Sequence, residues 1–99
     1  MTMYEYLKEL GIEFQKEKHI SRKGKGRSYF LDAYLPNQNL CIEYDGHSLH
    51  KGSERDIARD KFLLENKKIK TLRIARKDIF NKIYSLNLIK EFVKQNEMD

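Results

Sequence analysis

The stretch YFLDAYLPNQNLCIEYD, residues 29 to 45, reads as two strands joined by a turn. YFLDAYL and LCIEYD are rich in the aromatic and aliphatic residues that strands favour, and PNQN between them carries turn residues. Side chains alternate along a strand. Tyr29, Leu31, Ala33 and Leu35 therefore share one face of the first strand, opposite Phe30, Asp32 and Tyr34. In the second strand Leu40, Ile42 and Tyr44 oppose Cys41, Glu43 and Asp45. A turn centred between Asn37 and Gln38 sets Asp32 directly across from Glu43. Like charges so placed destabilise a sheet, and such a pair tends to share a proton or take up a cation. Asp45, two residues on and on the same face, adds a third carboxylate. Three hard oxygen donors suit Mg²⁺ or Mn²⁺. An ion there would activate a water and neutralise charge on a phosphate. The same acids are also ordinary on a solvated sheet face, and a slip of one residue would move them apart.

Outward from this hairpin, TMYEYLKEL has apolar residues at helical spacing and Gly11 stops it. IEFQKEKHI alternates at its start and reads as a strand, and SRKGKGRS is a basic, glycine-punctuated loop. GHSLHKGS is a second loop, and SERDIARDKFLLENKK a helix with Ser53 as N-cap. IKTLRIA reads as a buried strand, and the chain is helical from Asp78, with a break expected near Ser85 to Asn87. The order helix, three strands, helix, strand, helix predicts an α/β domain spanning 1–99. The first three strands form an antiparallel meander, and the fourth joins as a parallel neighbour after its crossover helix, giving a mixed sheet.

The 99 residues suffice for one modest core. Charged residues make up 35% and no apolar run reaches the roughly 18 residues of a membrane helix, so a soluble protein is expected. The charged amphipathic N-terminus does not read as a signal peptide. A lone cysteine, Cys41, forms no internal disulfide, which points to a reducing cytoplasm. The net charge of +5 favours a polyanionic partner, although a lysine-rich soluble protein would carry it too.

His47 and His50 follow the acids, and a histidine titrating near neutrality could move a proton there. Either could equally be a surface loop residue. A zinc site from Cys41, His47 and His50 lacks the usual Cys-x-x-Cys support. Arg22, Lys23, Lys25 and Arg27 would suit DNA phosphates, with Arg73 and its neighbours Arg76 and Lys77 extending the surface, or would simply cap a solvated hairpin. Asp56 and Asp60 lie one turn apart on one ridge of their helix, where Lys61, Lys67 and Lys68 could also pair with them. Ile57, Ala58, Phe62, Leu63 and Leu64 are expected in the core, with Leu72, Ile74, Ile79, Ile83, Leu86, Ile89, Phe92 and Val93.

YFLDAYLPNQNLCIEYDG followed by RDIARDKFLLENKKIKTLRI resembles the Vsr-like branch of the restriction-endonuclease-like, or PD-(D/E)XK, superfamily. That branch includes very-short-patch-repair-type nucleases and the EDxHD homing-endonuclease domains of phages. The likeness covers roughly residues 1 to 78. It implies a restriction-endonuclease-like core in which Asp32 and Glu43 are the metal-binding acids, and Asp45 stands where much of the superfamily has lysine. It further implies a histidine after the Asp-Gly turn as general base or water-orienting group, and Asp56 and Arg59 as the acidic and basic positions of the following helix. Two departures stand out. The usual spacing puts the histidine at position 49, which is Leu49, between His47 and His50; and the acid expected early in the first helix is represented only by Glu5.

The resemblance implies a cytoplasmic, Mg²⁺-dependent DNA endonuclease of a prokaryotic or phage-infected cell, a monomer or homodimer, nicking one strand at a time. Two other readings stay open: a catalytically inactive nucleic-acid-binding member of the same fold, and an accessory domain whose basic surface meets protein.

Overall fold

The computed structural model describes residues 1–22, 24, 26, 28–46 and 54–97. The elements are α1 (Thr2–Glu9), β1 (Gln15–Ile20), β2 (Tyr29–Leu35), β3 (Leu40–Asp45), α2 (Glu54–Lys67), β4 (Lys70–Ala75), α3 (Arg76–Ile79) and α4 (Lys82–Gln95). The strands form one mixed sheet in the order β1-β2-β3-β4, antiparallel except for the parallel pair β3 and β4. The hairpin register is the expected one, with Ala33 opposite Ile42, Tyr34 opposite Cys41 and Leu35 opposite Leu40. Asn39, at φ +57°, closes the turn by donating its amide to the Leu35 carbonyl at 2.8 Å.

Helices cover both faces of the sheet. On one side Met3 and Leu7 of α1, with Ile89 and Val93 of α4, bury against Ala33, Leu35, Leu40, Ile42 and Ile74. On the other, Leu63 of α2 packs with Leu31, Cys41 and Ile69. α1 ends in a two-bond cap in which Gly11, at φ +70°, donates to Lys8 O and Ile12 donates to Leu7 O. Glycine takes that left-handed conformation without a Cβ penalty.

Three expectations are corrected. The helical break falls at Phe80 and Asn81, not at Ser85 to Asn87, because the Asn81 side chain accepts the Tyr84 amide and caps α4. Ser85 is buried inside α4, its hydroxyl donating to the Asp78 carbonyl. Of the apolar residues of α2 only Leu63 is buried, while Ile57, Ala58 and Leu64 are exposed and Phe62 is half-buried. Ile83 is exposed as well. The helix shows the sheet a narrower stripe than its apolar content suggested.

The third correction concerns β2. Leu31 joins the α2-side cluster, whereas Ala33 and Leu35 join the α1/α4 side, so the strand changes face at Asp32. Its neighbour does the same. Lys16 lies over the ring of Tyr4 on the α1 side and Lys18 over the ring of Tyr34 on the α2 side, with Glu17 between them at φ +50°. Glu17 and Asp32 face each other in the register but form no ladder pair. Such distortions re-aim side chains and concentrate beside functional sites.

Candidate active site

The distortion aims Asp32 into the seam between β2 and β3. Their paired ladder ends at Ala33 and Ile42, and beyond it two carboxylates take over the main-chain bonding. The Asp32 amide donates to Glu43 Oε2 at 2.6 Å, and the Tyr44 amide donates to Asp32 Oδ2 at 2.9 Å. Each acid thus holds the other's strand, and charge-assisted bonds of this kind are stronger than neutral ones. Glu43 is only 3% exposed. The kink is tied down from the other face, where the Tyr4 hydroxyl donates to the Asp32 carbonyl at 2.8 Å. Burial, then the nearby Asp32 and Glu17 charges, raises the Tyr4 pKa and keeps the phenol protonated.

A cleft of about 530 Å³ opens over these acids, with Asp45, Gly46 and Tyr44 of the β3 end on one side and Arg55, Asp56 and Arg59 of α2 on the other. Arg59 forms an ion pair with Glu43. Burial, then the charge of Arg73, pulls the Arg59 pKa below its ordinary value. Arg73, level with Glu43 in the parallel register, is engaged instead by α2. Its guanidinium donates to both oxygens of Asp60, at 2.8 and 3.3 Å, and lies 3.7 Å from Asp56. Burial opposes its charge, but the Asp60 hydrogen bonds and the Asp60 and Asp56 carboxylates outweigh it and raise its pKa. Arg73 therefore works first as a strut between β4 and α2.

Asp32, Glu43, Asp45, Asp56, Arg59 and Arg73 all line this one cleft. Among the described residues, however, no three His, Cys, Asp or Glu side chains are gathered tightly enough to hold a metal ion, so the expected three-acid cluster with Asp45 is not formed. What converges is a pair. Two carboxylates with one oxygen each committed to main chain suit Mg²⁺, which commonly takes one or two carboxylates and completes its shell with water and phosphate. The Arg59 guanidinium is the cation that pairs with Glu43.

Cys41 is wholly buried, and burial pushes its thiol up to about 12. Glu5 is exposed and does not line the cleft; Tyr4 beside it makes the contact to Asp32. Arg22 is half-buried against Tyr29, donating to its hydroxyl at 2.8 Å. His47, His50, Lys23, Lys25, Arg27 and the cap residue Ser53 lie outside the described residues.

Sequence reasoning missed Arg55 and Phe30. The Arg-Asp pair repeated at a four-residue interval in ERDIARDK was the signal for Arg55, since it aligns Arg55 with Arg59 along the helix. Phe30 stood on the acid-bearing face but was read only as a strand residue.

No family model and no curated protein matches this sequence. No helix among the described residues is long and apolar enough to cross a membrane.

Proposed function

We propose that this chain is a metal-dependent DNA endonuclease of the restriction-endonuclease-like superfamily, akin to its Vsr-like branch, nicking one strand at a time. The observation that carries this reading is the reciprocal pair Asp32 and Glu43, each bonded to the other's strand where the ladder ends and both opening on one cleft. The seam uses both carboxylates to replace ladder bonds and still presents both to the cleft, where a cation would meet two anionic side chains.

Asp32 and Glu43 would hold the Mg²⁺ or Mn²⁺ ion, which when bound supplies Lewis acidity and charge neutralisation at a phosphate. The remaining work falls to the chain. The amides of Asp32 and Tyr44 fix the two carboxylates before substrate arrives. Arg73, clamped to Asp60 and Asp56, holds α2 over the sheet and so sets where Arg59 and Arg55 stand. Arg59 and Arg55 offset phosphate charge. A histidine of the segment after Gly46, His50 first and His47 second, accepts the proton of the attacking water.

One observation favours a second reading. Arg59 already neutralises Glu43, and no third acid joins the pair among the described residues. An inactive nucleic-acid-binding protein of the same fold would keep that ion pair permanently. Incubation of supercoiled plasmid with the protein in Mg²⁺ and in EDTA separates the two: nicked circle in Mg²⁺ alone supports the nuclease, and binding without any product supports the inactive protein.

A further inference from the structure

A second cleft of about 460 Å³ adjoins the first. Phe30, Arg55, Asp56 and Arg59 line both, so the two clefts share a wall. Their charges differ in sign. The first carries the carboxylates of Asp32, Glu43, Asp45 and Asp56 against Arg55, Arg59 and Arg73, and so seeks a cation. The second carries Arg22 and Arg55 against Asp56, with Arg59 committed to Glu43, and so still favours an anion.

Phe30 is 59% exposed, two residues before Asp32, with the His19 ring 5.2 Å away on the neighbouring strand. Beyond it, the Arg22 guanidinium rests 4.6 Å from the Tyr29 ring centre and is fixed there by its bond to the Tyr29 hydroxyl. Its Nε has no hydrogen-bond acceptor among the described residues. An exposed ring beside guanidiniums, that of Arg22 fixed on Tyr29, is the combination that holds single strands: phosphate in a basic groove, base on an aromatic face. A duplex offers a protein its phosphates and base edges, not the flat face of a base.

We propose that the second cleft binds an unpaired nucleotide of DNA adjoining the bond to be cut, its base stacked on Phe30 and its phosphate between Arg22 and Arg55. This rests on the nuclease reading and narrows it to strands that are single or locally unpaired.

Fluorescence anisotropy in EDTA tests the site without metal-dependent cutting. A labelled single-stranded oligonucleotide is compared with a blunt duplex of the same sequence and with the corresponding RNA strand, at matched salt. The single strand should bind about tenfold or more tightly than the duplex, and Phe30→Ala should weaken strand binding by about 5- to 100-fold, the loss of one stacked base. Duplex binding should be unchanged in that variant, and Phe30→Trp should restore the strand. Phe30 is exposed, so both variants should retain the wild-type circular dichroism spectrum. Equal or tighter duplex binding, wild-type strand binding by Phe30→Ala, or no binding to either overturns the proposal, and tighter binding of RNA overturns its assignment to DNA. A protein that nicks plasmid in Mg²⁺ but shows no strand preference loses this inference alone. One that prefers strands but never cuts loses the nuclease reading and with it the placement beside a cut bond, keeping only the strand-binding cleft.

Discussion

Arg59 of α2 closes an ion pair on Glu43 of β3, a carboxylate almost wholly withdrawn from solvent. That contact joins the helix to the sheet at the candidate site, and it makes the cation requirement of Glu43 measurable without any catalysis. Removing one partner of a buried pair strands the other charge. Arg59→Ala should therefore destabilise the fold by about 3 kcal/mol, the low end of the range for such losses. Millimolar Mn²⁺ should restore more of the melting temperature in this variant than it adds to wild type, because the metal takes the place of the guanidinium. Equal Mn²⁺ responses in the two proteins would show that Glu43 does not receive the ion.

Arg73 should behave as a strut. Replacing it with Gln removes two hydrogen bonds to Asp60, partners that are both partly exposed, so the loss should be modest, about 1 kcal/mol. Nucleic-acid affinity at fixed salt should fall modestly, as Arg55 and Arg59 lose their support, while the salt slope should be unchanged. A slope lowered by about one would instead make Arg73 a direct phosphate contact.

Tyr4→Phe should lower stability by about 1 kcal/mol, the usual net worth of one hydrogen bond, as measured by urea denaturation. If the Tyr4 bond also holds the β2 kink in place, plasmid nicking should fall in the same variant while its circular dichroism spectrum persists. Unchanged stability and unchanged nicking would mean that the kink needs no support from α1.

The buried Cys41 thiol gives the pH dependence a definite sign. Its folded pKa is raised to about 12 from an ordinary value of 9.0, chiefly by burial. The unfolded chain therefore releases this proton first as pH rises. The stability that the neutral thiol contributes is complete below pH 9 and is lost progressively toward pH 12, by at most about 1.4 kcal/mol per pH unit. Tyr4 and Lys82, also raised, add to the alkaline fall in the same direction. Urea denaturation from pH 8.5 to 11 should show a shallower fall in Cys41→Ala than in wild type. Identical slopes would place the thiol in contact with water.

The hairpin was legible from sequence because period-two alternation and a four-residue turn fix a register between them, which the structure keeps from Leu35 opposite Leu40 to Ala33 opposite Ile42, short of Asp32 and Glu43. The face change at Asp32 was not legible. It coincides with a positive φ at Glu17 in the neighbouring strand, a conformation that no residue type there announces. The exposure of Ile57 and Leu64 was hidden for a related reason: α2 covers a narrow strip of sheet, and composition does not state how wide that strip is. The Arg-Asp repeat of α2 was visible, but only the three-dimensional pairing reveals that Arg73 serves Asp60 while Arg59 serves Glu43.

The central claim, that Asp32 and Glu43 support metal-dependent cutting, is tested most directly by plasmid nicking with Asp32→Asn and Glu43→Gln beside wild type. Both substitutions keep an oxygen able to accept the amide bonds of the seam, and circular dichroism verifies that each variant is folded. In Mg²⁺ the wild type should convert supercoiled plasmid to nicked circle, EDTA should abolish this, and each variant should be slower by at least about 100-fold, as expected when transition-state charge loses its support. Wild-type rates in either folded variant, or a wild type that leaves plasmid intact in both Mg²⁺ and Mn²⁺, would contradict the claim.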